Sequence, residues 1–103
     1  MSGTTKEMDT AQENEHSVLE NKFLACVDKA QNSSEKPNKP ISNEMKLEIY
    51  GLYKQATQGD VSGPKPAFLD LVGRAKYKAW EGFKGMETYE AMQKYIDIFD
   101  SLA

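Results

Sequence analysis

The chain has one cysteine, one histidine, one tryptophan and four prolines in 103 residues. Each shortage excludes something. A lone Cys26 cannot close an internal disulfide or build a cysteine-based zinc site, and such usage points to a reducing, cytoplasmic setting. A lone His16 removes Ser–His–Asp and Cys–His catalysis, and without a nucleophile–base pair or a metal cluster the chain is not expected to be an enzyme, nor to need a cofactor. No run approaches the roughly 18 apolar residues of a membrane span, and the N-terminus has no apolar signal stretch. No repeat recurs at 20–50 residue spacing. No stretch alternates apolar and polar residues over a strand's length, so strands are not expected.

What is present fits a small soluble domain. At 11.6 kDa, with 39% hydrophobic and 28% charged residues, the chain is one domain long and can enclose one modest core. Its net charge of −3 is unevenly placed. Residues Met1–His16 hold Lys6 against Glu7, Asp9, Glu13 and Glu15, which accounts for all of it. From Ser17 onward 12 bases balance 12 acids. A neutral body argues against nucleic-acid binding, which relies on many cations neutralising phosphates. Residues 1–16 have no hydrophobic period and read as a disordered acidic tail, leaving 17–103 as the folded domain.

Helical periodicity appears four times. Ser17 and Glu20 have capping-box spacing and open a stripe of Leu19, Phe23, Cys26, Val27 and Ala30. The polar stretch 32–40 ends that helix. Ser42 is placed to cap a second, with Met45, Ile49, Leu52 and Ala56 on one stripe and Leu47, Tyr50 and Lys54 on another. Two glycines and two prolines between Gly59 and Pro66 enforce an irregular connection. A third helix begins at Asp70 and aligns Val72, Ala75, Ala79 and Phe83, with Trp80 alongside, until Gly85 breaks it. The last runs from about Glu87 to Leu102, with Tyr89, Met92, Ile96 and Phe99 inward and Tyr95 on its flank. The expected fold is an all-α four-helix bundle of modest stability.

One stripe is unlike a core. Tyr50, Tyr53 and Lys54 stand at i, i+3 and i+4 and so share a helix face. Two phenols beside an ammonium suit a polyanion, with charge from lysine, hydrogen bonds from the O–H groups and stacking from the rings. Lys76 and Tyr95 converge there if the helices pack side by side. Aromatic stripes are nevertheless more often core, so spacing alone favours half-buried tyrosines and a solvated lysine. Cys26 reads as an inert core thiol, His16 as a solvated tail residue and Trp80 as a core anchor or a ligand wall. Asp60 and Asp70 read as turn and cap residues.

The run Tyr50-Gly51-Leu52-Tyr53-Lys54-Gln55-Ala56-Thr57-Gln58-Gly59-Asp60 resembles the acyl-CoA-binding protein family. The likeness continues through Lys65-Pro66, Leu69-Asp70, Ala75-Lys76-Tyr77-Lys78-Ala79-Trp80, Ala91-Met92 and Tyr95-Ile96, about 80 residues from near Asn21 to the C-terminus. It implies an up-down-down-up four-helix bundle that carries or buffers medium- and long-chain fatty acyl-CoA in the cytoplasm, working as a monomer and supplying acyl-CoA-using enzymes. Carried over by position, Tyr50, Gly51, Leu52, Tyr53 and Lys54 form the ligand-contacting run, with Lys54 toward the ribose 3′-phosphate. Lys76 corresponds to a third-helix lysine near the phosphates, and Tyr95 to a last-helix tyrosine at the nucleotide end.

The likeness has departures. Tyr77 stands where tryptophan is common, Val72 where many members carry lysine, and Gln31 at a first-helix position that is often lysine. The longer connection 32–40 brings Lys36 and Lys39, which are expected to replace the missing charge, and these lysines and Gln31 are expected to make weaker ligand contacts. The basic C-terminal tail of short members is absent, which raises the expectation of a domain within a longer lipid-metabolism protein. The competing expectation is a helical protein-interaction module that docks a partner helix on its Tyr50/Tyr53 face.

Overall fold

The structure is a computed structural model describing the backbone of residues 2–32 and 40–102 and the side chains of residues 15–31 and 40–102. Among the described residues the chain forms four α-helices and no strand: α1 Ser2–Asn32, α2 Asn43–Gln58, α3 Leu71–Glu81 and α4 Thr88–Ser101.

Two starts follow from capping. The first N–H groups of a helix have no partner inside it, and a side-chain oxygen just before the helix supplies one, typically stabilising it by about 1 kcal/mol. Ser42, in extended backbone, accepts a hydrogen bond from the Met45 N–H at 3.1 Å. Asp70 accepts one from the Gly73 N–H at 2.9 Å. Glu87 precedes α4 without such a bond. α3 stops at Glu81, short of Phe83. Tight turns from Phe83 N–H to Trp80 C=O (3.0 Å) and from Lys84 N–H to Glu81 C=O (3.1 Å) carry the chain to Gly85, whose φ of +92° favours glycine.

The start of α1 departs from the sequence reading. The helix begins at Ser2 rather than at Ser17, so the segment read as a tail has helical backbone and Ser17 lies within the helix. Residues 4–16 contain neither proline nor glycine and several good helix formers, so nothing in them breaks a helix. An apolar stripe marks a packed face, so a helix without one gives no periodic signal in the sequence.

The core joins three helices. Phe23 of α1, Leu52 and Ala56 of α2, and Ala91, Met92, Tyr95 and Ile96 of α4 are buried together, with Leu19, Val27, Ile49 and Tyr53 against them. Each large apolar side chain so placed contributes roughly 1.5–3 kcal/mol, most of which chain entropy offsets. α4 packs on both α1 and α2, and α3 packs on α2. The expected stripes are therefore only partly buried. Ala30 is exposed at the far end of α1. Val72 is 67% exposed, because α3 is covered at its Trp80 end. Tyr95, read as a flank residue, is 3% exposed and sits edge-on to Phe23 at 5.1 Å. Gly51 sets the approach of α2 to α3, since a Cβ there would come within 2.7 Å of the Ala79 carbonyl oxygen and 2.8 Å of the Phe83 ring.

Candidate ligand-binding face of α2 and α3

Where α2 meets α3, two ammonium groups lie over two aromatic rings. The Lys76 Nζ is 5.3 Å from the centre of the Tyr50 ring, and the Lys54 Nζ is 4.8 Å from that of Trp80. Each helix gives one ring and one cation, four residues apart, so each pair occupies one face of its helix. From one contact to the other both helices advance by four residues, which means that α2 and α3 run in the same direction. His16 over Tyr89 and Phe23 against Tyr95 likewise advance together along α1 and α4. This matches the down-down and up-up pairs of the expected bundle.

The rungs carry two positive charges whose donors are not consumed. A ring face attracts an ammonium by its quadrupole, worth about 0.5–1 kcal/mol at an exposed site, but takes no conventional hydrogen bond from it. The lysines are thus held in place with N–H groups to offer an anion. Tyr50 and Lys54 are half-buried and Lys76 is exposed. Trp80 is 6% exposed, and its indole N–H donates to the Gly59 carbonyl at 2.8 Å, which fixes the ring under Lys54. The Tyr77 hydroxyl donates to the Gly63 carbonyl at 3.3 Å, tying the α2–α3 connection down a second time.

The other sequence-selected residues are distributed differently. The run from Tyr50 to Lys54 divides between two faces, as helical geometry requires of five consecutive residues. Leu52, with no exposed surface, belongs to the core, and Gly51 is the close-approach residue. Tyr53 is half-buried and stacks on Phe23 at 6.4 Å. Tyr95 joins the same aromatic group from α4. Burial above all, then Cys26 and Tyr53, pushes its phenol up to about 12, so it keeps its proton and remains a hydrogen-bond donor at neutral pH. Gln31 is exposed near the end of α1. Lys36 and Lys39 lie outside the described residues.

Three contacts escaped the sequence reading. Trp80 is the ring beneath Lys54; the matching i, i+4 spacing of Lys76/Trp80 and Tyr50/Lys54 was the available signal. Asp60, read as a turn residue, accepts from the buried Gln55 amide at 3.0 Å and from the Gly85 N–H at 2.8 Å. The Gln55 amide also donates to the Met86 carbonyl at 2.8 Å, so this group locks the end of α2 to the turn before α4. These bonds, Gly85 first and Gln55 second, hold the Asp60 carboxyl below its ordinary value. His16, read as solvated, stacks on Tyr89 at 4.0 Å and 8°, while the Tyr89 hydroxyl donates to Glu20 at 3.2 Å. No local pattern announces a ring pair 73 residues apart.

Among the described residues, two grooves lie away from the rungs. One of about 770 Å³ runs between α1 and α4 beside Leu19, Lys22, Cys26 and Ile96. Burial first, and Asp100 second, push the half-buried Cys26 thiol up, so it stays protonated and unreactive. The other, about 410 Å³, lies on the outside of α3. Among the described residues no group of His, Cys, Asp and Glu could hold a metal ion, and no helix is long and apolar enough to cross a membrane.

Comparison with known proteins places this geometry. A family profile described as "Acyl CoA binding protein" matches residues 20–99. Acyl-CoA-binding protein 2 of Saccharomyces pastorianus is 44% identical over 75 residues, covering 73% of this chain and 85% of that protein. Acyl-CoA-binding domain-containing protein 1 of Arabidopsis thaliana is 43% identical over 70 residues, 68% of this chain but 21% of its own length. The chain spans between 16 and 29% of the longer relatives that it matches. The crystal structure of Oryza sativa Acyl-CoA-Binding Protein 2 superposes with a TM-score of 0.72 at 39% identity, covering 82% of this chain and 89% of that one.

Proposed function

The chain belongs to the acyl-CoA-binding protein family, and on that premise we propose that it binds medium- and long-chain fatty acyl-CoA esters and serves as a carrier or buffer for them. The observation that carries this reading is the pair of cation–π rungs, which holds Lys54 and Lys76 over aromatic rings where α2 meets α3. A CoA headgroup is a dense polyanion, and two ammonium groups with unspent donors form charge-assisted hydrogen bonds to its phosphates. Tyr50 borders the same face, and Tyr53 and Tyr95 complete the binding set from the aromatic group behind it. Gly51 and Leu52 support the site through packing, and Gln31, Lys36 and Lys39 add weaker contacts.

The alkyl chain needs an apolar path next to that face. One helical turn before Lys76 stands the exposed Val72, and one turn before Tyr50 the half-buried Leu47, so both helices continue past the rungs with apolar side chains. Covering a methylene is worth roughly 0.8 kcal/mol, so about ten would contribute around 8 kcal/mol before the costs of association. The headgroup then selects CoA esters over free acids. In this reading the protein performs no chemistry of its own. It works as a monomer in the cytoplasm and passes its ligand to enzymes that use acyl-CoA.

Calorimetric titration with palmitoyl-CoA, CoA and palmitate tests the reading. Palmitoyl-CoA should bind tightly, one to one, CoA weakly and palmitate worst, and affinity should rise with acyl length and then level off. Equal binding of ester and free acid would overturn it. A second reading, that the chain is the acyl-CoA-binding domain of a larger lipid-metabolism protein, is favoured by the small share of the longer relatives that it spans.

A further inference from the structure

α3 turns a second basic face away from the rungs. At about 100° per residue, Leu71, Arg74 and Lys78 lie roughly half a turn around the helix from Lys76 and Trp80. With Lys65 and Pro66 of the preceding connection and with Tyr77 they line the groove of about 410 Å³. Lys65, Arg74 and Lys78 outnumber the single acid there, Glu81, whereas the chain as a whole carries −3. Beside this groove stands a run of uncovered apolar side chains: Phe68 is 79% exposed, Leu69 86% and Leu71 74%. Contiguous exposed apolar residues rimmed by charge mark interaction sites rather than ordinary surface.

Arg74 ties the apolar run to α3. The Arg74 guanidinium lies 5.2 Å over the Phe68 ring and donates to the Phe68 carbonyl at 3.4 Å. Asp70 is occupied in capping α3, and the hydroxyl of Tyr77 in tying down Gly63. An apolar centre with a cationic rim is the anatomy of a protein interface. A lone phosphate leaves the three apolar side chains uncovered. A bilayer has no use for a concave groove or for a Phe68 pinned under arginine.

We propose that this outer face of α3 docks an acidic, apolar-centred segment of a protein partner, which places carboxylates on Lys65, Arg74 and Lys78 and an apolar side chain in the groove against Leu71. Because the face lies half a turn from Lys54 and Lys76, partner and ligand bind together. That the partner consumes the carried thioester rests on the carrier reading; the docking does not.

The test titrates the full 103-residue chain, followed by amide NMR, with an end-capped peptide of Asp and Glu around a central Leu-Phe pair, with and without palmitoyl-CoA. Saturable shifts at Leu71, Arg74 and Lys78 that persist with palmitoyl-CoA present are expected. Arg74→Glu with Lys78→Glu should weaken peptide binding about tenfold or more while leaving palmitoyl-CoA affinity unchanged, since reversed rim charges repel the carboxylates. Leu71→Ala, which removes an exposed side chain, gives a second test should the charge-reversed variant melt early. Absence of saturable shifts, or shifts centred on Tyr50 and Lys76, overturns the proposal. So does binding of phosphatidylserine vesicles or inorganic phosphate at this face without binding of the peptide. Peptide binding in a protein indifferent to palmitoyl-CoA would break the carrier reading alone.

Discussion

The α1–α4 half and the α2–α3 half use aromatic rings in opposite ways. Between α1, α2 and α4 the rings of Phe23, Tyr53 and Tyr95 meet one another. Between α2 and α3 the rings of Tyr50 and Trp80 are given to lysine ammonium groups. A ring packed on rings loses its surface to the core and stabilises the fold. A ring under an ammonium leaves the cation's donors for whatever anion arrives. α2 serves both halves, with Leu52 and Ala56 inward and Tyr50 and Lys54 toward α3. The lesson is that residue type alone does not distinguish core from site; the partner of each ring does.

Substitutions should separate the halves. The largest effect is expected at Phe23, 1% exposed and in contact with Tyr53 and Tyr95. Phe23→Ala removes a buried ring and leaves a cavity, and should cost about 3–5 kcal/mol, a large part of the 5–15 kcal/mol typical of a domain. Urea unfolding measures it, and whatever remains folded should still prefer palmitoyl-CoA over palmitate. A loss under about 1 kcal/mol would mean that the aromatic group is not where stability resides.

Lys54→Ala and Lys76→Ala should show the reverse pattern. Each removes one cation and should weaken palmitoyl-CoA binding by roughly 1–3 kcal/mol, about 5- to 150-fold, as expected for a lost hydrogen bond to a charged group. Stability should change little, since an exposed cation–π contact is worth only about 0.5–1 kcal/mol. Calorimetry and thermal melts on the same samples decide. Melting that drops as at Phe23 while binding persists would make the rungs structural and erase the contrast between the halves.

How much of this was legible in the sequence depends on the range of the signal. The caps at Ser42 and Asp70, the stripe through Leu52 and Ala56, and the break at Gly85 are set within a few residues and could be read directly. Tyr50 and Lys54 share a face by their spacing, and Lys76 joins them if the helices pack side by side, as the family likeness also implies. Tyr95 could be ranked as a candidate but not located: flank and core are about 100° apart on a helix, and only the arrival of Phe23 from α1 decides between them. Asp60 looked like any turn carboxylate, because its two donors come from the end of α2 and from the turn after α3. The reach of α1 back to Ser2 carries no apolar stripe, so no periodic signal marks it in the sequence.

The smallest expected effect lies at high pH. The Tyr95 phenol is pushed up to about 12, chiefly by burial. The folded state therefore holds that proton more tightly than the unfolded chain, whose tyrosines titrate near 10. The sign follows from linkage. The contribution is fully present below pH 10 and is lost as the pH climbs from 10 through 12. Tyr89, raised mainly by its bond to Glu20, and the Cys26 thiol, raised by burial, act in the same direction. Tyr95→Phe keeps the ring against Phe23 and removes the ionisation, so the melting temperature of the variant should fall less steeply across this interval than that of the parent. Equal slopes would mean that the Tyr95 hydroxyl reaches water in the folded protein, so that burial does not govern its ionisation.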